Sequence, residues 1–233
     1  KLVPELARTR QVIAPELQGH GHTADIDRPI TYEQMADDTA ALLHHLGIGK
    51  ADVYGYSMGG GVALQVAIRH PQLVRKLVVV SASSSSEGMF PEVIAGIEQM
   101  TPEVFDGSLW REAYDRAAPN PQAFPTLMAK LKQLDVTPFD WPAAAIKAIP
   151  APTLLVVADS DIVRLEHAVE LFRLRGGGVA GDLAGLPASQ LAVLPGTTHV
   201  GVLDRADWLL AMVPPFLDAP MPETTPEGRS QTA

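Results

Sequence analysis

The sequence predicts an α/β protein with a mostly parallel sheet flanked by helices and one helical insertion. Three observations carry this. Short runs such as Leu77-Val78-Val79-Val80 and Leu154-Leu155-Val156-Val157 are continuously apolar, the pattern of strands covered on both faces. Longer stretches with helical periodicity separate these runs, as a chain alternating strand and helix requires. The 233 residues are 46% hydrophobic and 19% charged, enough for one large domain with its own core and no cross-links.

The elements follow in order. Residues 2–10 read as the end of a helix leading into a short strand, Gln11-Val12-Ile13-Ala14, which Pro15 ends. Residues 31–46 form a helix. Thr31 and Gln34 make a capping-box pair, Met35, Leu42, Leu43 and Leu46 share a face, and Gly47 ends it. A strand at 51–54, a helix at 58–70 and a strand at 76–80 come next. Residues 83–148 break the rhythm with helical patterns at 93–100, 103–116 and 121–134, separated by Pro and Gly and lacking a strong strand. They read as an insertion between two strands, with Ser83–Ser86 as its flexible polar mouth. Strands at 153–157 and 191–194 resume the alternation, with a long Gly-rich loop at 176–189 between them. Residues 218–233, with Pro220, Pro222 and Pro226, read as a disordered tail.

Composition excludes several classes. The net charge of −9 disfavours binding to nucleic acid, whose affinity rests on clustered Lys and Arg. No apolar run approaches the roughly 20 residues of a membrane helix. With no cysteine there is no thiolate nucleophile, thiolate metal site or disulfide, which leans toward a reducing, cytoplasmic setting.

The chemistry concentrates at Gly55-Tyr56-Ser57-Met58-Gly59, a Gly-x-Ser-x-Gly pattern between an expected strand and an expected helix. A sharp strand-to-helix turn pushes the serine hydroxyl outward. It demands small residues on either side, here Gly55 and Gly59. The helix start leaves free N–H groups beside the hydroxyl, and the Met58 N–H is one expected oxyanion donor.

On these residues the chain resembles the α/β-hydrolase family, from the strand at Gln11 to the helix containing Trp208. The resemblance implies an α/β-hydrolase core at 1–82 and 149–217 with a helical cap at 83–148. It also implies a triad in the order Ser, acid, His, with the acid and the histidine on loops after later strands. Asp161, after the strand at 153–157, matches the acid, and Asp159 is its rival, with loop capping as the alternative role. Arg164 departs from the proline common there. His199, in Pro195-Gly196-Thr197-Thr198-His199, matches the histidine that shuttles the proton. His20 and His22 lack a third ligand at metal-binding spacing and read as part of a structural Gly-x-Gly loop after Glu16. His44, His45 and His70 fall at helix ends, and His167 lies in the helix after the acid loop. Tyr56 lines the pocket or packs.

The family's first strands, and the His-Gly loop that supplies a second oxyanion N–H, do not precede Val12. The chain therefore reads as shortened at its front, with a sheet edge left open to aggregation or oligomer formation. The expected activity is hydrolysis of a small ester or lactone through an acyl-enzyme, with no cofactor and no metal. Alternatives on the same triad are cleavage of a C–C bond or an enol-lactone, and a haloperoxidase-like perhydrolase. A non-catalytic family member is a further alternative. A serine nucleophile sets the chain apart from the family's aspartate-dependent epoxide hydrolases and dehalogenases.

Overall fold

In the computed structural model, which describes residues 1–222, parallel strands form one sheet. In spatial order they are β1 (Ala51–Tyr56), β2 (Val74–Val80), β3 (Thr153–Ser160) and β4 (Ser189–Thr198). Every junction is parallel, so each connection must cross back over a sheet face. Each of these strands is longer than its apolar run. Tyr56 extends β1 to the serine turn, and β4 continues through Pro195 and Gly196 to Thr198.

The period of two decides which side chain meets which layer. Leu77 and Val79 of β2 and Leu155 of β3 face helices α2 (Tyr32–His45), α3 (Met58–Arg69) and α8 (Leu165–Leu174). Val78 and Val80 of β2, with Leu154 and Val156 of β3, face α10 (Ala206–Asp218) through Leu209, Val213 and Phe216. Lys76 is the exception within this apolar run. It is 1% exposed, and its ammonium donates to the Phe216 and Ala219 carbonyls at the end of α10, where a cation suits the helix dipole.

Several expectations need correction. The chain opens with a short helix, α1 (Leu2–Leu6), but Gln11–Ala14 is not a strand, because a strand exists only through ladder bonds to a neighbour and no strand among the described residues lies beside it. In α2 the Thr31 hydroxyl accepts from the Gln34 N–H at 3.2 Å, as expected, but Leu46 is 49% exposed. The helix stops at His45, so Leu46 leaves its periodicity, and Ala36 and Ala40 complete the buried face with Met35 and Leu43.

Between β2 and β3 lie α4 (Pro91–Gln99), α5 (Leu109–Ala117), α6 (Phe124–Val136) and α7 (Ala143–Ala148). The expected single helix over 103–116 is broken, because Gly107 turns at φ +71° and Ser108 caps a new helix at the Arg111 N–H. Ser83–Ser86 is no flexible mouth. Ser83, Ser84 and Ser85 are buried, and Ser85 bridges antiparallel to Asp140. Around that bridge the Trp141 N–H meets the Ser84 carbonyl and the Ser86 N–H meets the Phe139 carbonyl, at 2.9 and 2.8 Å. The Ser83 hydroxyl donates to the Ser85 carbonyl, the Ser86 hydroxyl accepts from the Phe139 N–H, and the Ser84 hydroxyl lies 3.3 Å from His167 Nε2. The Gly-rich 176–189 segment holds a short helix, α9 (Gly181–Ala184), and α10 runs through Asp218, which pairs with Arg10. Residues 223–233 of the expected tail lie outside the described residues.

Burial pushes the Asp135 carboxyl on α6 up to about 6. A carboxyl raised in the folded state costs stability as pH climbs from the unfolded value, about 3.9, through 6. Asp135→Asn is therefore expected to gain about 1–3 kcal/mol at pH 7 and nothing at pH 3.5, read by denaturant unfolding at both pH values.

Candidate active site

β1 delivers the chain to Ser57, which turns at φ +55° and ψ −125° before α3 begins at Met58. That backbone is costly for any residue but glycine, and such strain gathers at functional sites. The Ser57 N–H holds the Val80 carbonyl at 2.9 Å, and the Ser57 carbonyl accepts from Gly60 and Gly61. The glycines around the turn divide the steric work unequally. A Cβ on Gly55 would lie 1.9 Å from the Gly59 carbonyl oxygen, a backbone clash with no relief. A Cβ on Gly59 meets nothing within 4 Å, so the expectation that position 59 must be small is corrected. The crowding instead falls on Gly60, against Ala82, and on Gly61, against the Tyr32 ring. Gly55→Ala is accordingly expected to give little folded protein, whereas Gly59→Ala should keep its fold with a melting temperature within a few degrees of the parent, compared by thermal unfolding.

The structure brings Ser57, His199 and Asp161 together. The Ser57 hydroxyl lies 2.9 Å from His199 Nε2, and His199 Nδ1 lies 2.7 Å from Asp161 Oδ1. A carboxylate facing Nδ1 fixes the proton there and leaves Nε2 as the acceptor for the serine proton. The Asp161 side chain is fully buried and that of His199 is 13% exposed. Burial alone would raise the Asp161 carboxyl. Hydrogen bonds from His199, Ser81 and the Ala158 N–H outweigh burial and hold it below the ordinary carboxylate value.

Asp159 does different work. Its carboxylate accepts from the Gly196 and Thr197 N–H groups at 2.8 and 3.1 Å, which fastens the end of β4 just before His199. Arg205 braces the same turn through the Thr197 hydroxyl and the Gly196 carbonyl. The Met58 N–H sits in the first turn of α3, where helix geometry supplies no internal acceptor.

Two contacts escaped sequence reasoning. The Tyr56 ring stacks on the His199 ring with centroids 5.2 Å apart, and its hydroxyl donates to the His199 carbonyl at 2.9 Å. Burial, then the Asp161 charge, push that hydroxyl up to about 12, so it remains a donor. Ser81, directly after β2, donates its hydroxyl to Asp161 Oδ2. A serine closing a strand at the C-terminal edge of a parallel sheet is the one signal in the sequence that could have found it.

The other histidines have separate roles. His20 Nδ1 meets the Gln18 carbonyl, and His22 pairs with Glu16 across Gly21. His70 caps α3 and pairs with Asp37, and His167 Nε2 accepts from the Ser84 N–H. Among the described residues no three His, Asp or Glu side chains are grouped so as to hold a metal ion, and no helix is long and apolar enough to cross a membrane. A groove of about 330 Å³ between β4 and α10 contains no ionisable side chain and none of these residues.

A parallel sheet with a strained serine turn between strand and helix is the architecture of the α/β-hydrolase class. A family model described as alpha/beta hydrolase fold matches residues 1–138. The chain is 31% identical over 191 residues to a 2-hydroxymuconate semialdehyde hydrolase of Pseudomonas sp. (strain CF600), covering 73% of this chain and 67% of that protein. It is 31% identical over 215 residues to a 2-hydroxy-6-oxo-2,4-heptadienoate hydrolase of Pseudomonas putida, covering 85% and 72%. The solved meta-cleavage product hydrolase from Pseudomonas fluorescens IP01 superposes with a TM-score of 0.73 at 21% identity, over 93% of this chain and 83% of that one. The chain belongs to the α/β-hydrolase family, and it is a hydrolase.

Proposed function

We propose that the chain hydrolyses small esters and lactones through an acyl-serine intermediate. The observation that supports this is the unbroken series from the Ser57 hydroxyl through His199 to Asp161. Ser57 Oγ attacks the carbonyl carbon while its proton passes to His199 Nε2, and the carbonyl electron pair moves onto oxygen beside the Met58 N–H. The tetrahedral adduct collapses, the alkoxide leaves with the proton from Nε2, and Ser57 carries the acyl group. Water then repeats the attack, giving its proton to His199, and the acid departs as Nε2 returns the proton to Ser57. Asp161 holds the imidazole in its tautomer throughout. In this reading residues 83–148 are the cap over a core of 1–82 and 149–217, and the cap shapes the pocket. A fluorophosphonate probe tests it: labelling at Ser57 together with p-nitrophenyl acetate hydrolysis supports the reading. Folded protein that neither labels nor hydrolyses overturns it.

The names of the Pseudomonas relatives favour a second reading, hydrolysis of a C–C bond in a 2-hydroxy-6-oxo-dienoate by the same triad. Loss of the dienoate's absorbance on adding enzyme, faster than ester turnover, would select it over the ester reading.

A further inference from the structure

Resting on the triad reading above, we infer that Ser81 is a positioning residue, which turns Asp161 toward His199 and sets how much negative charge Oδ1 presents to the imidazole. Ser57 and Ser81 are the non-glycine residues with positive φ among the described residues, at +55° and +52°. Each directly follows its strand, and each donates its N–H to the neighbouring strand, Ser57 to Val80 and Ser81 to Val156. The sheet thus carries two successive strained serines at one edge, on adjacent strands. One faces the reacting carbonyl and the other faces the acid. A side chain in this backbone region costs stability that glycine would not, and such strain gathers where a side chain has work to do.

The contacts supply one. Ser81 is 2% exposed, and its hydroxyl donates to Asp161 Oδ2 at 2.5 Å. The Ala158 N–H also meets Oδ2, while the Val163 N–H and His199 Nδ1 meet Oδ1. With Oδ2 occupied by two donors, the carboxylate is fixed in rotation and Oδ1 is left for the imidazole. Donation from Ser81 also draws negative charge away from Oδ1, so losing it strengthens the charge that faces the imidazole. The groups against His199 are Asp161, the Ser57 hydroxyl and the Tyr56 ring. Asp161 is the charged one, so a change at Oδ2 reads out directly on His199.

Ser81→Gly removes the hydroxyl from a backbone that glycine adopts without strain, so a lost rate in folded protein falls to the hydroxyl. With p-nitrophenyl acetate, kcat is expected to fall about tenfold, the worth of a hydrogen bond to a charged group, with KM unchanged. The acid limb of the kcat/KM profile is expected to move to higher pH. Ser81→Cys, which keeps the shape with a weaker donor, should shift both readouts in the same direction. Wild-type kcat and an unmoved acid limb in folded Ser81→Gly would overturn the inference, since a hydroxyl with a merely structural role would change only the unfolding temperature. Ser57→Ala in the same assay keeps the two failures apart. If it retains activity, the triad reading fails. If it is inactive while Ser81→Gly behaves as wild type, the Ser81 inference alone fails.

Discussion

Ser57→Ala is expected to abolish ester turnover, with kcat falling by about 10⁴–10⁶-fold and fluorophosphonate labelling lost. Nothing else in the turn can replace the hydroxyl. Tyr56 is committed to the His199 carbonyl, and the next serine along the sheet edge, Ser81, is committed to Asp161. The substitution should leave the protein folded, because the Ser57 backbone makes its bonds to Val80, Gly60 and Gly61 without the side chain. Retained hydrolysis at a rate within tenfold of the parent would show that another group attacks the carbonyl.

Asp161→Asn should be nearly as severe, with a loss of about 10⁴-fold in kcat. The carboxylate accepts from four donors: the Ser81 hydroxyl, the Ala158 N–H, the Val163 N–H and His199 Nδ1. An amide offers one accepting oxygen and an NH₂, so one pair of donors must face another donor. If the oxygen stays with Ser81 and Ala158, the NH₂ faces Nδ1, the imidazole changes tautomer, and Nε2 carries a proton where an acceptor is needed. If the amide flips, Ser81 and Ala158 lose their acceptor in a buried site. The first orientation leaves Nε2 protonated and the Val163 N–H without an acceptor, so the variant in that orientation should show both a slower rate and a lower unfolding temperature. By contrast Asp159→Asn should keep most of the activity, since Asp159 meets loop N–H groups rather than the histidine. Comparing the two variants by kcat checks the assignment of the acid.

Much of this architecture was legible because strands and helices announce themselves by period. The runs at β2 and β3 are apolar on both faces, and the structure packs both faces. The serine turn was legible because Gly55 leaves a mark, a position where any Cβ strikes the Gly59 backbone. Where legibility failed, the missing quantity was a neighbour. Gln11–Ala14 has strand composition, yet composition does not supply a ladder partner. The serines at 83–86 look solvated by residue type, and only the approach of Asp140, Trp141 and His167 makes them buried. Ser81 was missed for the same reason, since its acceptor lies 80 positions along the chain. Gly59 was credited with a steric role that belongs to Gly60 and Gly61, whose neighbours Ala82 and Tyr32 come from other segments.

The bridge between Ser85 and Asp140 has a consequence for how such a protein can change. Residues joined across an antiparallel pair have Cα atoms only about 4.5–5.5 Å apart. The whole excursion from β2 to α7 and β3 therefore leaves and rejoins the sheet through a closed doorway, held by backbone bonds that any sequence can make. A second bridge, Met89 to Val163, with the Arg164 N–H on the Gly88 carbonyl, ties the chain just past that doorway to the loop that carries Asp161, so helices can be lengthened, exchanged or repacked freely only beyond Phe90. The graft point therefore lies past both bridges: if the proposed cap shapes the pocket, replacing residues 91–138 with the equivalent stretch of a relative should change which carbonyl compounds are admitted while Ser57, Asp161 and His199 stay in register.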